Sequence, residues 1–590
     1  MKKFLNILGN LEELAVGGLL LLLAVGTTIQ VLTRYFLGLT FDWFDEGSRY
    51  LVVFATFAGA GLAVKHGAHF SMEAVTQYAP RRVAAGLRAL ANILSAVVML
   101  VIAWFGWEQT ALLARYGMTM ASLGLPMWVA YLPIPVFGLS IAARFGFKAW
   151  GHARIVFDGG EGGGRLMVWF IVCVFLGLLL LSTPIAIVVL ATTAGAVSLF
   201  MNVPHTALVH QLFRGLDNFL LLSIPFFILA GNIMAEGRIA HYLVESMNAC
   251  VGRFRGGLAL AGILTCMFFA AISGSSPATV IAVGSIMIPA LIRAGYDEKF
   301  SIGLITSAGT LGILIPPSIP MVLYSLVGNT SVSDMFMAGV VPGVVRVVVL
   351  GAFALYMARR YGWGATSSHS FGETMRILGR ASWGLAMPVI VLGGIYSGIF
   401  TPTEAAGVSV VYALLVETFV YRSLTWAKFR AILVKSAVLS SALLFIIACA
   451  MPFIWLLTRE QLPAQAAQFI SAHIGNKYVF LFLVNVLLLL IGCVMDIVTS
   501  ILVLTPIFLP MLTHFGIDPV AWGIMMIVNV EIGFLTFPFG LNLFVAMGIT
   551  GKPLTEIARS VLPFLALLFL CLLMVTYIPV ISTWLPSLLR

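Results

Sequence analysis

The feature that most constrains this chain is a series of uninterrupted apolar runs, each close to the length that crosses a bilayer. Two of them are LAVGGLLLLLAVG (14–26) and VWFIVCVFLGLLLLS (168–182). A helix needs roughly 20 apolar residues to cross the hydrocarbon layer, whereas barrel strands alternate apolar and polar residues over about ten positions. Because these runs do not alternate, we predict an all-α polytopic membrane protein with room for about fifteen helical segments, some of them interrupted.

Composition excludes the soluble classes. Apolar residues make up 61% of the 590 residues and charged residues only 9%, against about 45–50% and 25% in soluble domains. The net charge of +10 is expected to report membrane orientation rather than a nucleic-acid partner, because cytoplasmic loops of membrane proteins collect Lys and Arg. The six cysteines are dispersed without a CxxC pair, which argues against a metal or redox centre.

The first 150 residues are predicted to form four transmembrane helices, near 14–35, 46–65, 84–106 and 127–148. Basic residues surround the second loop and follow the fourth span, whereas the first loop is acidic. By the positive-inside rule, we expect both ends of this block, including the N-terminus, to face the cytoplasm.

A polar, glycine-rich segment, HARIVFDGGEGGGR (152–165), separates two apolar regions. Glycine runs of this kind form flexible linkers, although a long loop inside one domain is the alternative. We therefore predict a four-helix block at 1–150, a linker at 151–165 and a second membrane domain at 166–590.

The second domain contains an internal repeat, with halves at about 166–380 and 381–590. The shift that takes position 289 to position 510, called here the repeat offset, aligns five pairs of identical Pro, Gly or Asp residues. These pairs are Pro289 and Pro510, Gly295 and Gly516, Asp297 and Asp518, Gly312 and Gly533, and Pro317 and Pro538. A duplicated membrane unit with interrupted helices in corresponding positions is typical of secondary transporters. The alternative is a duplication kept only for packing, as in some channels.

Each half contains two predicted helix breaks. The first kind, AISGSSPAT (271–279) and its counterpart in GCVMDIVTSILVLTPIFLP (492–510), reads as the tip of a re-entrant hairpin with arms of about 12–15 residues. The second kind is TLGILIPPSIP (310–320) against EIGFLTFPFGLN (531–542). Proline removes a backbone donor and disrupts the helix, so carbonyl oxygens are freed where no water can satisfy them.

These breaks predict cation sites beside an anion site. Freed carbonyls suit sodium, and hydroxyls at each break can complete two shells. One shell would use Ser275, Ser276 and Ser318, and the second Asp496, Thr499 and Thr536. Helix N-termini restarting after the breaks favour an anionic ligand. The alternatives are hydroxyls bonded to their own backbone and, for Asp496, a salt bridge to a basic group such as Arg459.

The breaks and their flanks resemble a known family. The second domain resembles the large (M-type) membrane subunit of TRAP (tripartite ATP-independent periplasmic) transporters through motifs that run through nearly all of 166–590. These are IPFFILAGNIM (224–234), SGSSPATVIAVGSIMIPALIRAGY (273–296), LGILIPPSIPMVLY (311–324), GIFTPTEAAGV (398–408) and MDIVTSILVLTPIFLPML (495–512). The first block is similar to the small (Q-type) four-helix subunit through DEGSRYLVVFATFAGAGLAVKHGAHFSME (45–73). The chain thus resembles a fusion of both subunits.

The resemblance implies a function. Family members import organic-acid anions across the bacterial inner membrane, driven by a sodium gradient, and receive substrate from a separate periplasmic binding protein. They are thought to work as elevators, in which the hairpins and broken helices move as a transport domain. The chain is therefore expected to be a multi-pass inner-membrane importer of a carboxylate or sulfonate, embedded in the lipid bilayer, with inverted repeats and two re-entrant hairpins.

The resemblance also implies site residues. The cation sites of the family carry over to Ser275, Ser276, Gly312, Pro316, Asp496, Thr499, Thr536 and Gly540. Substrate-binding groups are expected at Ser273, Ser318, Ser500 and Asn542. We expect Na⁺ at two sites, no other metal and no organic cofactor. The second break departs from the family's usual Thr-Pro-Pro phrase, because Phe537 and Phe539 flank Pro538, and this changes the expected geometry of the second cation site.

The alternative functions are a passive anion channel and a polytopic membrane enzyme. No His is followed by Glu, so the HExxH motif of zinc proteases is absent, and GITGKP (548–553) lacks the spacing of a phosphate-binding loop. We therefore expect no enzymatic activity and no catalytic residue. The sequence leaves open the substrate (dicarboxylate, sugar acid, keto acid or sulfonate), the sodium stoichiometry and the oligomeric state, although a scaffold widened by the fused block is compatible with a monomer.

Overall fold

The computed structural model describes residues 2–66, 81–153, 174–179, 181, 183–201, 203–364, 370–493, 495–536 and 540–589. Within these ranges, helices joined by short turns make up the fold, and an isolated β-bridge pairs Thr119 with Pro126. Twelve helices of the described residues are long and apolar enough to cross a membrane, or up to 13 if a bent pair counts as one span. The prediction of an all-α polytopic membrane protein is confirmed.

The chain divides into two compact units. Unit one comprises Met1–Pro225 and Leu433–Gln465. Its first seven helices are α1 (Lys2–Leu37), α2 (Asp42–His66), α3 (Arg81–Tyr116), α4 (Trp128–Tyr131), α5 (Pro133–Ala153), α6 (Ile185–Phe200) and α7 (Thr206–Leu216). The four spans predicted for the first block correspond to α1, α2, α3 and the α4–α5 pair.

Acidic side chains hold the helices of the first block together at both ends of α2. Glu13 on α1 accepts a hydrogen bond from the Lys65 ammonium at the end of α2 (2.6 Å), and Arg144 on α5 pairs with Glu12 (2.6 Å). At the other end of α2, the Glu46 carboxylate accepts backbone N–H groups of the turn before α4, including that of Ser122 at 2.6 Å. Acidic side chains thus fix the helices of this block at both ends.

Unit two comprises Phe226–Ile432 and Ala466–Arg590. The remaining helices are α8 (Ser223–Glu236), α9 (Ile239–Val251), α10 (Gly257–Ser273), α11 (Ser276–Arg293), α12 (Glu298–Ala308), α13 (Leu311–Leu314), α14 (Ile319–Gly328), α15 (Val332–Tyr361), α16 (Phe371–Tyr396), α17 (Pro402–Leu415), α18 (Trp426–Arg459), α19 (Leu462–His473), α20 (Lys477–Gly492), α21 (Ile497–Phe515), α22 (Pro519–Gly533), α23 (Leu541–Thr550), α24 (Leu554–Tyr577) and α25 (Val580–Leu589). Most of α18 belongs to unit one.

The internal repeat is visible in the helix ends of unit two. The starts of α11 and α21 are separated by the repeat offset, and so are those of α12 and α22. Asp297 and Asp518 each cap the following helix by accepting a backbone N–H. Gly295 and Gly516 both adopt a positive φ, 86° and 59°, which an L side chain rarely adopts. Of the five sequence pairs, one includes Pro538, which lies outside the described residues.

Helices of each repeat pack against helices of the other repeat. Helix α11 packs against α23, and α21 packs against α14. The second arm of each hairpin therefore contacts the last segment of the broken helix of the other repeat, as expected for two halves related by a pseudo-two-fold axis.

The hairpin arms are longer than predicted. Helices α10 and α11 have 17 and 18 residues, instead of about 12–15. The reason is that helical structure continues to both sides of a break of only two residues, Gly274 and Ser275. Helices α10 and α11 pack against each other. A Cβ on Gly262 of α10 would lie only 3.1 Å from the Met287 methyl group of α11.

Candidate functional site at the hairpin tips

The first hairpin tip lies directly against the first broken helix. Gly274 ends α10 with φ of +59°, and Ser275 begins α11 in an extended conformation. A Cβ on Gly274 would lie 2.8 Å from the carbonyl oxygen of Pro317. The positive φ and this close approach both require glycine, so the tip and the proline break contact each other through their backbones.

Gly312 makes a second close approach to the same tip. A Cβ on Gly312 would lie 2.5 Å from the carbonyl oxygen of Ser275 and 2.7 Å from the Cα of Ser276. The chain then bends by 41° between the α12–α13 segment and α14, across Pro316 and Pro317. The structure thus brings together Gly312, Ser275 and Ser276 of the predicted first cation site. The fourth residue, Pro316, adjoins Pro317, whose carbonyl oxygen contacts the tip at Gly274.

Hydroxyl groups and a carbonyl form a small network inside this tip. The Thr279 hydroxyl donates to the carbonyl oxygen of Ser275 at 2.8 Å, and it lies 3.1 Å from the Ser273 hydroxyl. Thr279 was not singled out from the sequence, although it lies one helical turn after Ser275 and aligns with Ser500 under the repeat offset. Ser318 instead donates to the carbonyl oxygen of Ile313 at 2.6 Å, so its proton is bound to nearby backbone.

The second tip carries a carboxylate where the first carries a hydroxyl. Asp496, the counterpart of Ser275, caps α21 by accepting the Thr499 N–H at 3.0 Å and the Thr499 hydroxyl at 2.6 Å. The Ser500 hydroxyl donates to the Asp496 carbonyl oxygen at 2.9 Å. Arg459, the alternative partner for Asp496, lies over the ring of Trp455.

The second tip also approaches its broken helix through glycine. A Cβ on Gly533 would overlap the backbone of Gly492, so hairpin and helix are in backbone contact here too. The Thr536 hydroxyl donates to the carbonyl oxygen of Ile532 at 2.9 Å, and the Gly540 N–H donates to that of Thr536 at 3.1 Å. The predicted influence of Phe537 and Phe539 falls outside the described residues.

One side-chain hydrogen bond joins the two repeats at the first tip. The Asn542 amide nitrogen donates to the Ser276 hydroxyl at 2.7 Å, and both side chains are fully buried. The amide oxygen of Asn542 has no hydrogen-bond partner among the described residues. Asn542, predicted as a substrate ligand, therefore lies beside the predicted cation ligands of the other repeat.

The donor set fits a small hard cation. Both tips present backbone carbonyls and hydroxyls, the first adds the amide oxygen of Asn542, and the second adds the carboxylate of Asp496. Oxygen ligands of this kind at interrupted membrane helices suit Na⁺. Helix α11 begins without a side-chain capping hydrogen bond, whereas the Asp496 carboxylate already caps α21, so the N-terminus of α11 is the one that favours an anion nearby.

Sequence reasoning missed a buried ion pair. Arg346 on α15 lies 2.7 Å from Glu531 on α22, and the two side chains are 1% and 0% exposed. The signal that could have found it is Arg346 itself, an isolated charge in the apolar run VVPGVVRVVVLGAFA (340–354), because an ionisable residue at membrane depth is costly and functional by default.

The fold and the breaks together define the class of secondary transporters built from repeats, with interrupted helices around ion and substrate sites. Residues 172–581 match the family described as "Tripartite ATP-independent periplasmic transporter, DctM component", and residues 23–154 match the DctQ component of the same transporters. The chain belongs to the TRAP transporter family and joins both membrane components in one polypeptide. It is a transporter permease and not an enzyme.

Curated relatives agree with this assignment. The chain is 46% identical over 396 residues to the C4-dicarboxylate TRAP transporter large permease protein DctM of Pseudomonas aeruginosa, covering 67% of this chain and 93% of that one. It is 34% identical over 566 residues to the isethionate TRAP transporter permease protein DctMQ of Oleidesulfovibrio alaskensis, covering 91% and 88%. The ectoine TRAP transporter large permease protein TeaC of Halomonas elongata is 34% identical over 426 residues, covering 72% and 99%.

The family and the apolar helices together give the location. The protein is a multi-pass protein of the bacterial inner membrane, with twelve candidate spans in its described part. As a TRAP permease it works with a periplasmic substrate-binding protein.

Proposed function

We propose that this chain is a sodium-coupled importer of an organic-acid anion, which it receives from a periplasmic binding protein. The observation that carries the proposal is the oxygen-only donor set at two tips related by the internal repeat. Relatives named for C4-dicarboxylate and for isethionate support a carboxylate or sulfonate substrate.

The proposal assigns one Na⁺ to each tip. The first ion uses Ser275, Ser276 and the backbone at Gly312 and Pro316. The second uses the tip and break of the other repeat, with ligands from Asp496, Thr499, Thr536 and Gly540. Freed carbonyls at the breaks supply oxygens that would otherwise lack partners.

The substrate anion is assigned to the zone beside these ions. Its ligands are Ser273, Ser318, Ser500 and Asn542, together with N–H groups at the start of α11. Bound cations and this helix N-terminus both favour a carboxylate or sulfonate there, so that substrate and ions bind cooperatively.

The membrane potential assists this uptake when charge is imported. Two Na⁺ with one monoanion bring in one net positive charge, which is worth about 2.3 kcal/mol per 100 mV of membrane potential. Two Na⁺ with a dianion would be electroneutral, so the voltage dependence of uptake reports the charge of the substrate.

We further propose an elevator mechanism. The hairpins and broken helices all belong to unit two, and their exchanged contacts, α11 with α23 and α21 with α14, would let them move as one transport domain. The four-helix block would belong to the scaffold. We also propose that the chain is divided into a four-helix block at 1–150, a linker at 151–165 and a transport domain at 166–590. We further propose a cytoplasmic N-terminus, which N-terminal reporter fusions would test, and a monomeric protein, which light scattering of the purified chain would test.

Transport in proteoliposomes tests the main proposal. The full chain is reconstituted with its periplasmic binding protein, and uptake of radiolabelled succinate and isethionate is measured with an inward Na⁺ gradient or with K⁺ in its place. We expect saturable uptake only with Na⁺. Equal uptake in K⁺ would contradict sodium coupling, and flux that does not saturate would indicate a channel.

A further inference from the structure

A single guanidinium nitrogen joins the two broken helices of unit two. Nη1 of Arg346 lies 2.7 Å from Oε2 of Glu531 and 3.0 Å from the Thr310 hydroxyl, and it also contacts the Thr310 carbonyl oxygen at 3.3 Å. Thr310 is fully buried. One side chain of α15 thus binds the α12–α13 segment of the first repeat and α22 of the second.

The two partners of Arg346 are equivalent positions of the repeat. Thr310 and Glu531 are related by the repeat offset, and each lies two positions before the glycine that approaches its own hairpin tip, Gly312 or Gly533. The contacts of Arg346 are therefore made at the same point of both broken helices, two positions before Gly312 of the first predicted cation site and five positions before Thr536 of the second.

Small residues on α15 bring its backbone to the first break. A Cβ on Gly339 would lie 2.5 Å from the carbonyl oxygen of Leu314, and one on Gly343 would meet the Ile315 side chain. Positions 339, 343 and 346 lie on one face of a helix. The face that packs on the broken stretch is therefore the one that presents Arg346.

We propose that Arg346 is a positioning residue that holds the two broken helices at a fixed spacing and thereby couples Na⁺ binding at one hairpin tip to Na⁺ binding at the other. This inference rests on the proposed sodium sites. A buried charge needs a partner, so Glu531 fixes the guanidinium, and the remaining Nη1 proton is directed at Thr310. Displacement of either helix when its tip binds or releases Na⁺ would strain the contact with the other helix.

The chemistry explains why arginine is needed. Guanidinium is planar and presents its donors in fixed directions, whereas the ammonium of lysine is a compact point charge on a flexible chain. Lysine would keep the ion pair with Glu531 but would not hold Thr310 in a defined direction at the same time. Arg346→Lys therefore separates charge from geometry.

The test measures sodium dependence in the full chain with Arg346→Lys, Glu531→Gln and Thr310→Val. The readouts are the half-saturating Na⁺ concentration and Hill coefficient of uptake, the KM for succinate at saturating Na⁺, and the Na⁺-induced rise in melting temperature of the purified protein. We expect half-saturating Na⁺ to rise about tenfold in Arg346→Lys and about threefold in Thr310→Val, with the Hill coefficient falling towards one. Arg359→Lys, at the exposed end of the same helix, is the matched control and should change nothing.

Each outcome has one meaning. If the wild-type chain shows no Na⁺-dependent uptake and no Na⁺-induced stabilisation, the proposed function fails before the variants are considered. If the wild type responds to Na⁺ and the folded variants keep its Hill coefficient and half-saturating Na⁺, the role of Arg346 is overturned. A purely structural role would lower the yield or melting temperature without changing the Hill coefficient. Should Arg346→Lys and Glu531→Gln not fold, Thr310→Val decides, because it keeps the ion pair.

Discussion

The two hairpin tips share a backbone plan but differ in charge. Ser275 and Asp496 occupy equivalent positions, and both precede the second arm of a hairpin. Among the described residues the Ser275 side chain makes no capping hydrogen bond, whereas the Asp496 carboxylate accepts two from Thr499. A cation at the second tip would therefore be neutralised by its own ligand, while one at the first tip would rely on neutral oxygens. The comparison predicts that the second tip binds Na⁺ more tightly.

The contacts between repeats differ in the opposite sense. At the first tip Ser276 is hydrogen-bonded to Asn542 of the other repeat. The repeat offset places Ile497 and Met321 at the equivalent positions of the exchanged pair, and both are buried and apolar. The hydrogen bond that joins the repeats at the first tip is therefore replaced by an apolar pair at the equivalent positions of the second. The first tip gains a partner from the other repeat, and the second carries its own charge.

Removing the charge at the second tip should have the largest effect. Asp496→Asn keeps a helix-capping acceptor, since Asn is as good an N-cap as Asp, but the cation loses its counter-charge. A charge-assisted contact is worth about 1.5–3 kcal/mol, so we expect half-saturating Na⁺ for succinate uptake to rise about 10- to 100-fold, with unchanged helicity by circular dichroism.

The reciprocal change at the first tip completes this test. Ser275→Ala removes a neutral ligand, and we expect a rise in half-saturating Na⁺ of about tenfold or less. A larger effect from Ser275→Ala than from Asp496→Asn would contradict the assignment of the tighter site to the second tip.

Filling the glycine contact at the first tip should have the next largest effect. In Gly312→Ala the new methyl group would meet the Ser275 carbonyl oxygen and the Ser276 Cα, which are backbone atoms that cannot turn away. Overpacking of this kind costs about 1–3 kcal/mol. We expect a lower melting temperature and about tenfold weaker Na⁺ dependence.

The matched control for that variant is Gly548→Ala in α23, because a Cβ there has no neighbour within 4 Å. It should leave both the melting temperature and uptake unchanged. If Gly312→Ala also behaved as the wild type, the tip and the broken helix would not be in the close contact that the first site requires.

Local punctuation in the sequence was sufficient to locate the breaks. Gly274, Pro316 and Asp496 act through their own backbone preferences, since they end, kink or cap helices wherever the chain places them. The helix ends consequently fall at the predicted tips. The predicted length of the arms was wrong because the break at Gly274 and Ser275 is only two residues long. Apolar composition alone does not show how far helical hydrogen bonding continues on either side of such a break.

Contacts between distant residues could not be located in this way. Arg346 and Glu531 are 185 residues apart, and no local preference indicates that they meet. The Asn542 contact with Ser276 spans 266 residues and exists because α11 packs on α23. Ser318 shows a third case, in which the sequence identifies a hydroxyl but not that it donates to the nearby carbonyl oxygen of Ile313.

Making the first tip resemble the second should have a moderate effect. The double variant Ser276→Ile with Asn542→Met installs the apolar pair found at the equivalent positions, Ile497 and Met321. Replacing both members of a buried hydrogen bond by apolar groups can be nearly neutral for stability, so folding should be retained. We expect half-saturating Na⁺ to rise about tenfold, because the Ser276 oxygen is lost from the first site, and the KM for succinate to rise with it, because Asn542 is a proposed substrate ligand. Asn542→Met alone should destabilise the fold more, because the Ser276 hydroxyl would lose its donor. A double variant with wild-type sodium dependence would show that Ser276 does not bind the ion.

The last comparison concerns the hydroxyls one turn or less after each tip, and among these variants Thr279→Val should have the smallest effect. Thr499→Val removes a hydrogen bond to a carboxylate, whereas Thr279→Val removes bonds to a carbonyl and a neutral hydroxyl. Hydrogen bonds to charged groups contribute about 1.5–3 kcal/mol and neutral ones about 0.5–1.5 kcal/mol. We therefore expect half-saturating Na⁺ to rise about tenfold in Thr499→Val but only about threefold in Thr279→Val. Both variants keep the β-branched shape, but the melting temperature measured without Na⁺ should fall more in Thr499→Val, because it loses a bond to a carboxylate. Equal rises in half-saturating Na⁺ in the two variants would show that the charge of Asp496 does not distinguish the tips.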